Sequence, residues 1–237
     1  MPDFTDKIVL VTGATGNLGS AVAEAFAASG AHLVLPDRSA QPEERLSAWA
    51  HGDRHLLAGN TNLTDAASVQ AMVDQAMARF GRIDVLAHTV GGYRAGSPPH
   101  ETTLETWDMM MNLNARSTLI VNQAVVTVML KQGAGKIINT AARSALHSGA
   151  NEVAYSASKS AVARITESMA AAYRAKGINV NAILPGTIDT PENRAAMPKA
   201  DFNRWVKPEE LARVILFLAS DDAAPINGAL IPAYGLS

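Results

Sequence analysis

Residues 7–21 read KIVLVTGATGNLGSA: a strand-like run, a turn holding Gly13, Gly16 and Gly19, and the opening of a segment with helical period. Glycines at such a hand-over let backbone approach a pyrophosphate, while the free amides and positive dipole end of the helix face its charge. Thr12, Thr15, Asn17 and Leu18 complete the turn and join the three glycines as candidate contacts to a dinucleotide. The spacing, G-x-x-G-x-x-G, is not the common fingerprint, and a tight turn without a ligand would use the same residues.

Asp37 favours the first of these readings over a solvated turn aspartate, which explains less. It follows the second apolar run, HLVL at 32–35, about 20 residues beyond the turn, where a carboxylate accepts hydrogen bonds from adenosine ribose hydroxyls. A carboxylate there repels a 2′-phosphate, so NADH is expected over NADPH, with neighbouring Arg38 leaving NADP open.

Outward from this unit, strand-length runs recur at HLL (55–57), IDVLA (83–87), GKIINT (135–140) and INVNAIL (178–184), with a short last strand near Ala229 to Pro232. Helices are expected at 18–29, at 65–80 with Thr64 as cap, at 104–131, at 154–176 ending on Gly177, and at 208–219 after Pro208. Continuous apolar strands alternating with helices mean a parallel sheet covered on both faces, a doubly wound α/β fold. With 237 residues, one domain is expected over the whole chain. Residues 187–207, rich in Pro, Asn and Asp, read as a lid whose Phe202 and Trp205 would cover a flat ring.

Composition narrows the partners. Hydrophobic residues make up 48% of the chain and charged ones 18%, the net charge is −2, and there is no basic run, so neither nucleic acid nor an anionic membrane is expected. Six scattered histidines and no cysteine give no support to a metal site or a disulfide framework. A first strand at residue 7 leaves no room for a signal peptide, so a cytoplasmic location is expected.

The stretch NTAARSALHSGANEVAYSASK (139–159) sets Tyr155 and Lys159 four apart, on one helix face. A phenol with pKa near 10 exchanges protons poorly at neutral pH; a nearby ammonium favours the phenolate and is expected to lower that value. The pair then serves general acid–base chemistry, and the lysine can also hold ribose hydroxyls.

These motifs, with WDMMMNLN ending in Asn114 and LPGTIDT from Leu184 to Thr190, resemble the short-chain dehydrogenase/reductases over essentially the whole chain. The resemblance implies a Rossmann-like, seven-stranded, mainly parallel sheet. It implies Tyr155 as acid, Lys159 on the nicotinamide ribose and Asn114 supporting a proton-relay water. It further implies cofactor contacts at Asn62, Leu63, Gly91, Pro185, Gly186, Ile188 and Thr190, and a homodimer or homotetramer paired through segments 104–131 and 154–176.

The chain departs from the family pattern in ways that bear on its substrate. Where the family has a carbonyl-polarising serine, thirteen residues before the tyrosine, stands Ala142. Ser144 is off that register but is the candidate to reach inward. Asn62 replaces an aspartate, and His88, Thr89, Val90 and Gly91 replace Asn-Asn-Ala-Gly. The missing serine, the run Gly91, Gly92, Tyr93 and the segment DTPENRAAMPKADFNRW (189–205) resemble the dihydropteridine reductase branch, which implies reduction of a quinonoid dihydropterin. Tyr93, Ala142, Ser144, Arg194, Phe202 and Trp205 would then line the substrate. Its electron-poor ring accepts hydride with less help from a hydroxyl donor. The ordinary ending, LASDDAAPINGALIPAYG, keeps a general carbonyl or 3-oxoacyl reductase in view, with Ser144 or water replacing the serine; a non-catalytic dinucleotide-binding protein is the remaining alternative.

Overall fold

In the computed structural model, which describes residues 2–237, the apolar runs become β1 (Ile8–Thr12), β2 (His32–Pro36), β3 (Leu56–Ala58), β4 (Val85–His88), β5 (Gly135–Thr140), β6 (Ile178–Pro185) and β7 (Leu230–Ala233). They form one seven-stranded sheet in the order β3-β2-β1-β4-β5-β6-β7. Every neighbouring pair is parallel, so the sheet is wholly rather than mainly parallel.

Burial on both faces explains why these strands read as continuous apolar runs instead of alternating ones. Val9, Val11, Leu33, Leu35, Ala87 and Ile138 point to one side, against α1 (Asn17–Ala28) and α7 (Pro208–Ala219). Ile8, Leu10, Val34, Leu86, Ile137 and Val180 point to the other, against α2 (Ala66–Phe80), α4 (Ser117–Gln132) and α5 (Val153–Tyr173). Each fully buried Val, Leu or Ile among them is worth about 1.5–3 kcal/mol of transfer free energy.

Some local expectations are corrected. Asp65, not Thr64, caps α2, its carboxylate accepting from the amide of Ala67, while Thr64 bonds back to Asn62. The segment expected as one helix over 104–131 is α3 (Leu104–Met110), a π-helical stretch (Met111–Arg116) and then α4. Helix α5 closes through a 3-10 turn onto Gly177, as expected. No helix among the described residues is long and apolar enough to cross a membrane.

The chain goes from β1 outward to β2 and β3, then returns to the far side of β1 as β4. That reversal opens a crevice at the carboxyl ends of β1 and β4, the position at which doubly wound sheets bind ligands.

Candidate active site

Thr12 and His88 end the two strands that flank the crevice. The Thr12 hydroxyl lies 3.0 Å from His88 Nδ1 and accepts from the Thr89 amide at 3.1 Å, while the Thr89 hydroxyl donates to the Thr12 carbonyl at 2.6 Å. Gly13 sits at φ +73°, and a Cβ on Gly19 would lie 2.0 Å from the Gly13 carbonyl oxygen, so this turn admits no larger residue. No side chain caps α1 at Gly16, leaving its first amides for an anion. The Leu18 side chain is core, which leaves only its backbone to face the crevice.

The Asp37 carboxylate is buried. It accepts from the Thr15 hydroxyl at 3.0 Å, the Ser39 amide at 2.8 Å and the Arg45 guanidinium at 2.7 Å. Arg45 was not foreseen: it comes from a loop that folds back through two short 3-10 turns, and no motif marks it. Arg38 points to solvent. Turn and carboxylate together fit a dinucleotide: open amides for the pyrophosphate and a fixed acceptor for the ribose. The Asn62 side-chain oxygen accepts from both the amide and hydroxyl of Thr64, and the Leu63 side chain packs into the core.

Asn114 lies fully buried in the π-helical stretch, a geometry common at functional sites. Its Oδ1 accepts from the Gly92 amide at 2.9 Å; its Nδ2 donates to the Gly92 carbonyl at 3.1 Å and to Ser158 Oγ at 2.9 Å. It therefore ties the loop after β4 to α5. Gly91 sits in the same junction: a Cβ there would come within 2.8 Å of Lys159 Nζ and 2.9 Å of Asn114 Oδ1.

Lys159 is buried, and its ammonium donates to the Thr140 carbonyl at 2.9 Å. Burial pushes its pKa down to about 8. The expected lowering of the Tyr155 phenol is not found. Burial, then the carboxylate of Glu152, then Tyr93 push it above its ordinary value, while the lysine is engaged by Thr140. Tyr93 packs edge-on against Tyr155, centroids 4.7 Å apart at 80°.

Around the missing serine, Ala142 is buried and the Ser144 hydroxyl donates to Glu152 Oε1 at 2.8 Å. Ser148 and Ser156 bond to each other at 2.8 Å. His88, also not foreseen, is fully buried; burial, aided by Lys159, pushes its pKa down to about 3. Its Nε2 has no partner among the described residues. The sequence signal was its place as the first residue of the altered motif after strand four.

Pro185 ends β6, and a Cβ on Gly186 would lie 2.3 Å from the Ser237 hydroxyl. Segment 187–207 is more ordered than expected. Ile188 bridges to Val206, Thr190 caps α6 (Pro191–Ala196) through the Asn193 amide, and Phe202–Arg204 form a 3-10 turn. Arg194 pairs with Asp189 through two bonds of 2.5 and 2.7 Å and lies 4.7 Å from the Phe202 ring centroid. The Phe202 and Trp205 rings pack 4.8 Å apart and Trp205 is buried, so these aromatics cover one another instead of presenting a free platform. Glu192 accepts from Asn17 at 2.8 Å, joining α6 to the glycine turn.

Comparison with known proteins agrees with this geometry. A family model described as enoyl-(acyl carrier protein) reductase matches residues 13–235. D-threitol dehydrogenase of Mycolicibacterium smegmatis is 38% identical over 94% of this chain and 89% of its own. The 3-oxoacyl-(acyl-carrier-protein) reductase FabG of Thermotoga maritima is 33% identical over 97% of this chain and 96% of its own. The crystal structure of levodione reductase superposes with a TM-score of 0.89 at 31% identity, covering 98% of this chain and 97% of that one. The chain belongs to the short-chain dehydrogenase/reductase family. It is an NAD(P)-dependent oxidoreductase.

Proposed function

We propose that this enzyme interconverts a small ketone and the corresponding secondary alcohol, with NADH preferred. The reading rests on the meeting of Tyr155, Lys159, Asn114 and Gly91 beside the glycine turn, at the carboxyl edge of the sheet. Open amides in the first turn of α1, just after Gly16, and the carboxylate of Asp37 would hold the two ends of the adenosine diphosphate part, with Ile188 and Thr190 toward the carboxamide. The bound cofactor supplies hydride.

Tyr155 holds its proton at neutral pH and delivers it to the carbonyl oxygen as that oxygen gains charge. Lys159, on the same helix face and steered by the Thr140 carbonyl, holds the nicotinamide ribose. Asn114 fixes the loop that carries Gly91 and Tyr93, and so the wall against which Tyr155 packs. Exposed Leu119 and Leu130 on α4 fit the expected pairing of subunits through this helix, which size-exclusion chromatography tests.

The test of the function is NADH and NADPH oxidation over a panel of small ketones, with Tyr155→Phe as control. Turnover lost in the variant supports the reading; cofactor binding with no Tyr155-dependent turnover of any substrate points instead to a non-catalytic dinucleotide protein. A second reading, reduction of a quinonoid dihydropterin, is favoured by Ala142: a conjugated acceptor ring has least need of the absent hydroxyl. Turnover of that substrate above every ketone would select it. A 3-oxoacyl substrate requires Ser144 or a water to take the role of the serine, and Ser144→Ala would then remove most of the activity.

A further inference from the structure

Glu152 is the residue at this site that the proposed reaction does not use. It is the N-cap residue of α5 and stands three before Tyr155, a spacing that puts both on one side of the helix. Its charge raises the pKa of both the Tyr155 and the Tyr93 phenols, after burial in each case, and those two rings pack together 4.7 Å apart at the wall of the site. The adjoining loops are tied together, the Gly96 amide donating to the Asn151 carbonyl at 2.8 Å.

The carboxylate is built in, and only half satisfied. The Ser144 hydroxyl at 2.8 Å and the Gly149 amide at 2.5 Å both donate to Oε1. Among the described residues Oε2 receives no donor and no Lys, Arg or His pairs with Glu152; nearby Arg143 lies over the Tyr234 ring instead, 5.8 Å from its centroid. Glu152 is half-buried and its Oε2 is free to accept, so a ligand hydroxyl can take the place of solvent there in a charge-assisted hydrogen bond. With Ala142 in place of a hydroxyl, the side of the site that would have oriented a carbonyl offers an acceptor instead of a donor.

Resting on the ketone–alcohol reading above, we propose that Glu152 Oε2 receives a substrate hydroxyl on the carbon next to the reacting one, so that the substrates are vicinal diols and the matching α-hydroxyketones. In the reductive direction NADH gives hydride to the carbonyl carbon, Tyr155 gives a proton to its oxygen, and the products are the diol and NAD⁺. The neighbouring hydroxyl keeps its proton, shared with Glu152. Ser144 is a positioning residue that fixes the carboxylate. Substrates with a carboxylate or phosphate at that carbon are repelled.

The test compares kcat/KM for acetoin, butanone, pyruvate and aminoacetone in the wild type, Glu152→Gln, Glu152→Ala and Ser144→Ala, with melting temperature as the check on folding. The expected wild-type preference for acetoin over butanone is about tenfold to hundredfold, the range for a hydrogen bond to a charged acceptor. That ratio falls to about one in Glu152→Ala and to intermediate values in Glu152→Gln and Ser144→Ala. Should Glu152→Ala fail to fold, the ratio in Glu152→Gln decides. An equal wild-type rate for acetoin and butanone, or a ratio that survives the substitutions, overturns this inference and leaves the oxidoreductase reading standing. Preference for aminoacetone over acetoin overturns it in favour of a cation. Absence of Tyr155-dependent turnover of all four compounds removes the ketone–alcohol reading and this inference with it.

Discussion

The ammonium of Lys159 and the carbonyl oxygen of Thr140 lie 2.9 Å apart, and among the described residues this is the one hydrogen bond the buried cation makes. A fully charged group with a single neutral partner in a dry environment is destabilising, and its pKa falls from 10.5 to about 8 accordingly. With the role proposed for Lys159, the position trades stability for chemistry.

Lys159→Met should remove both. A folded-state pKa below the unfolded one means the penalty is fully present below pH 8 and is relieved as pH rises toward 10.5; the drop corresponds to at most about 3 kcal/mol. Denaturant titration at pH 7 should find the variant more stable by up to that amount, with the difference shrinking at pH 10, while turnover is lost. A variant less stable at pH 7 would show that the Thr140 bond outweighs the burial of charge.

His88 and His55 both shape the acid limb of stability, His55 being pushed down to about 4 chiefly by burial. The His88 pKa is about 3 in the fold against 6.5 unfolded, so the unfolded chain takes up a proton that the fold refuses, and stability falls as pH drops through that window. The slope from His88 is about 1.4 kcal/mol per pH unit, or about 2 kcal/mol by pH 5. His88→Asn should remove about half of the slope between pH 6.5 and pH 4, the rest coming from His55; an unchanged slope would place the acid sensitivity elsewhere.

Asp37 and Arg45 should govern cofactor choice. Removing the carboxylate in Asp37→Ala takes an acceptor from the ribose and frees Arg45, at present 2.7 Å from Asp37, to meet a 2′-phosphate beside Arg38. The ratio of kcat/KM for NADH over NADPH should fall at least tenfold, the loss expected for one hydrogen bond to a charged group. A ratio that does not move would put the discrimination outside this pair.

Gly91→Ala should damage the site with modest effect on the fold. The added methyl would meet Lys159 Nζ at 2.8 Å and Asn114 Oδ1 at 2.9 Å, so the loop or the lysine must shift. Such overpacking costs about 1–3 kcal/mol, and a displacement near 1 Å at reacting groups lowers kcat about a hundredfold. Normal kcat in a folded Gly91→Ala protein would show that the loop can relax away from Lys159.

The sheet was legible because each strand is buried on both faces and so advertises itself as an apolar run, as GKIINT did at Gly135–Thr140. The turn at Gly13–Gly19, Asp37, and the Tyr155–Lys159 pair were legible because helix and strand geometry fix where such residues stand. What escaped depends on contacts between distant or irregular segments. Arg45 reaches Asp37 from a loop of short 3-10 turns that no motif marks, and the role proposed for Glu152 depends on the direction of one side chain. The rise in the Tyr155 pKa comes from burial, then from the Glu152 carboxylate and Tyr93, none of which its four-residue spacing to Lys159 reports. Asp65 took the capping role from Thr64 because the Thr64 side chain is drawn back to Asn62.

A sheet whose strands all run one way also divides the molecule's tolerance for change. The loops leaving the carboxyl edge carry the turn, Asp37, Tyr93, Ala142 to Glu152 and segment 187–207, while the opposite edge carries the backbone bonds that seat the strands, such as Lys136 to the Asp84 carbonyl. Drift along the first edge alters which molecules react; drift along the second alters whether there is an enzyme at all. New substrate preferences can therefore accumulate in one set of loops without renegotiating the core, a freedom that a site assembled from both edges would lack.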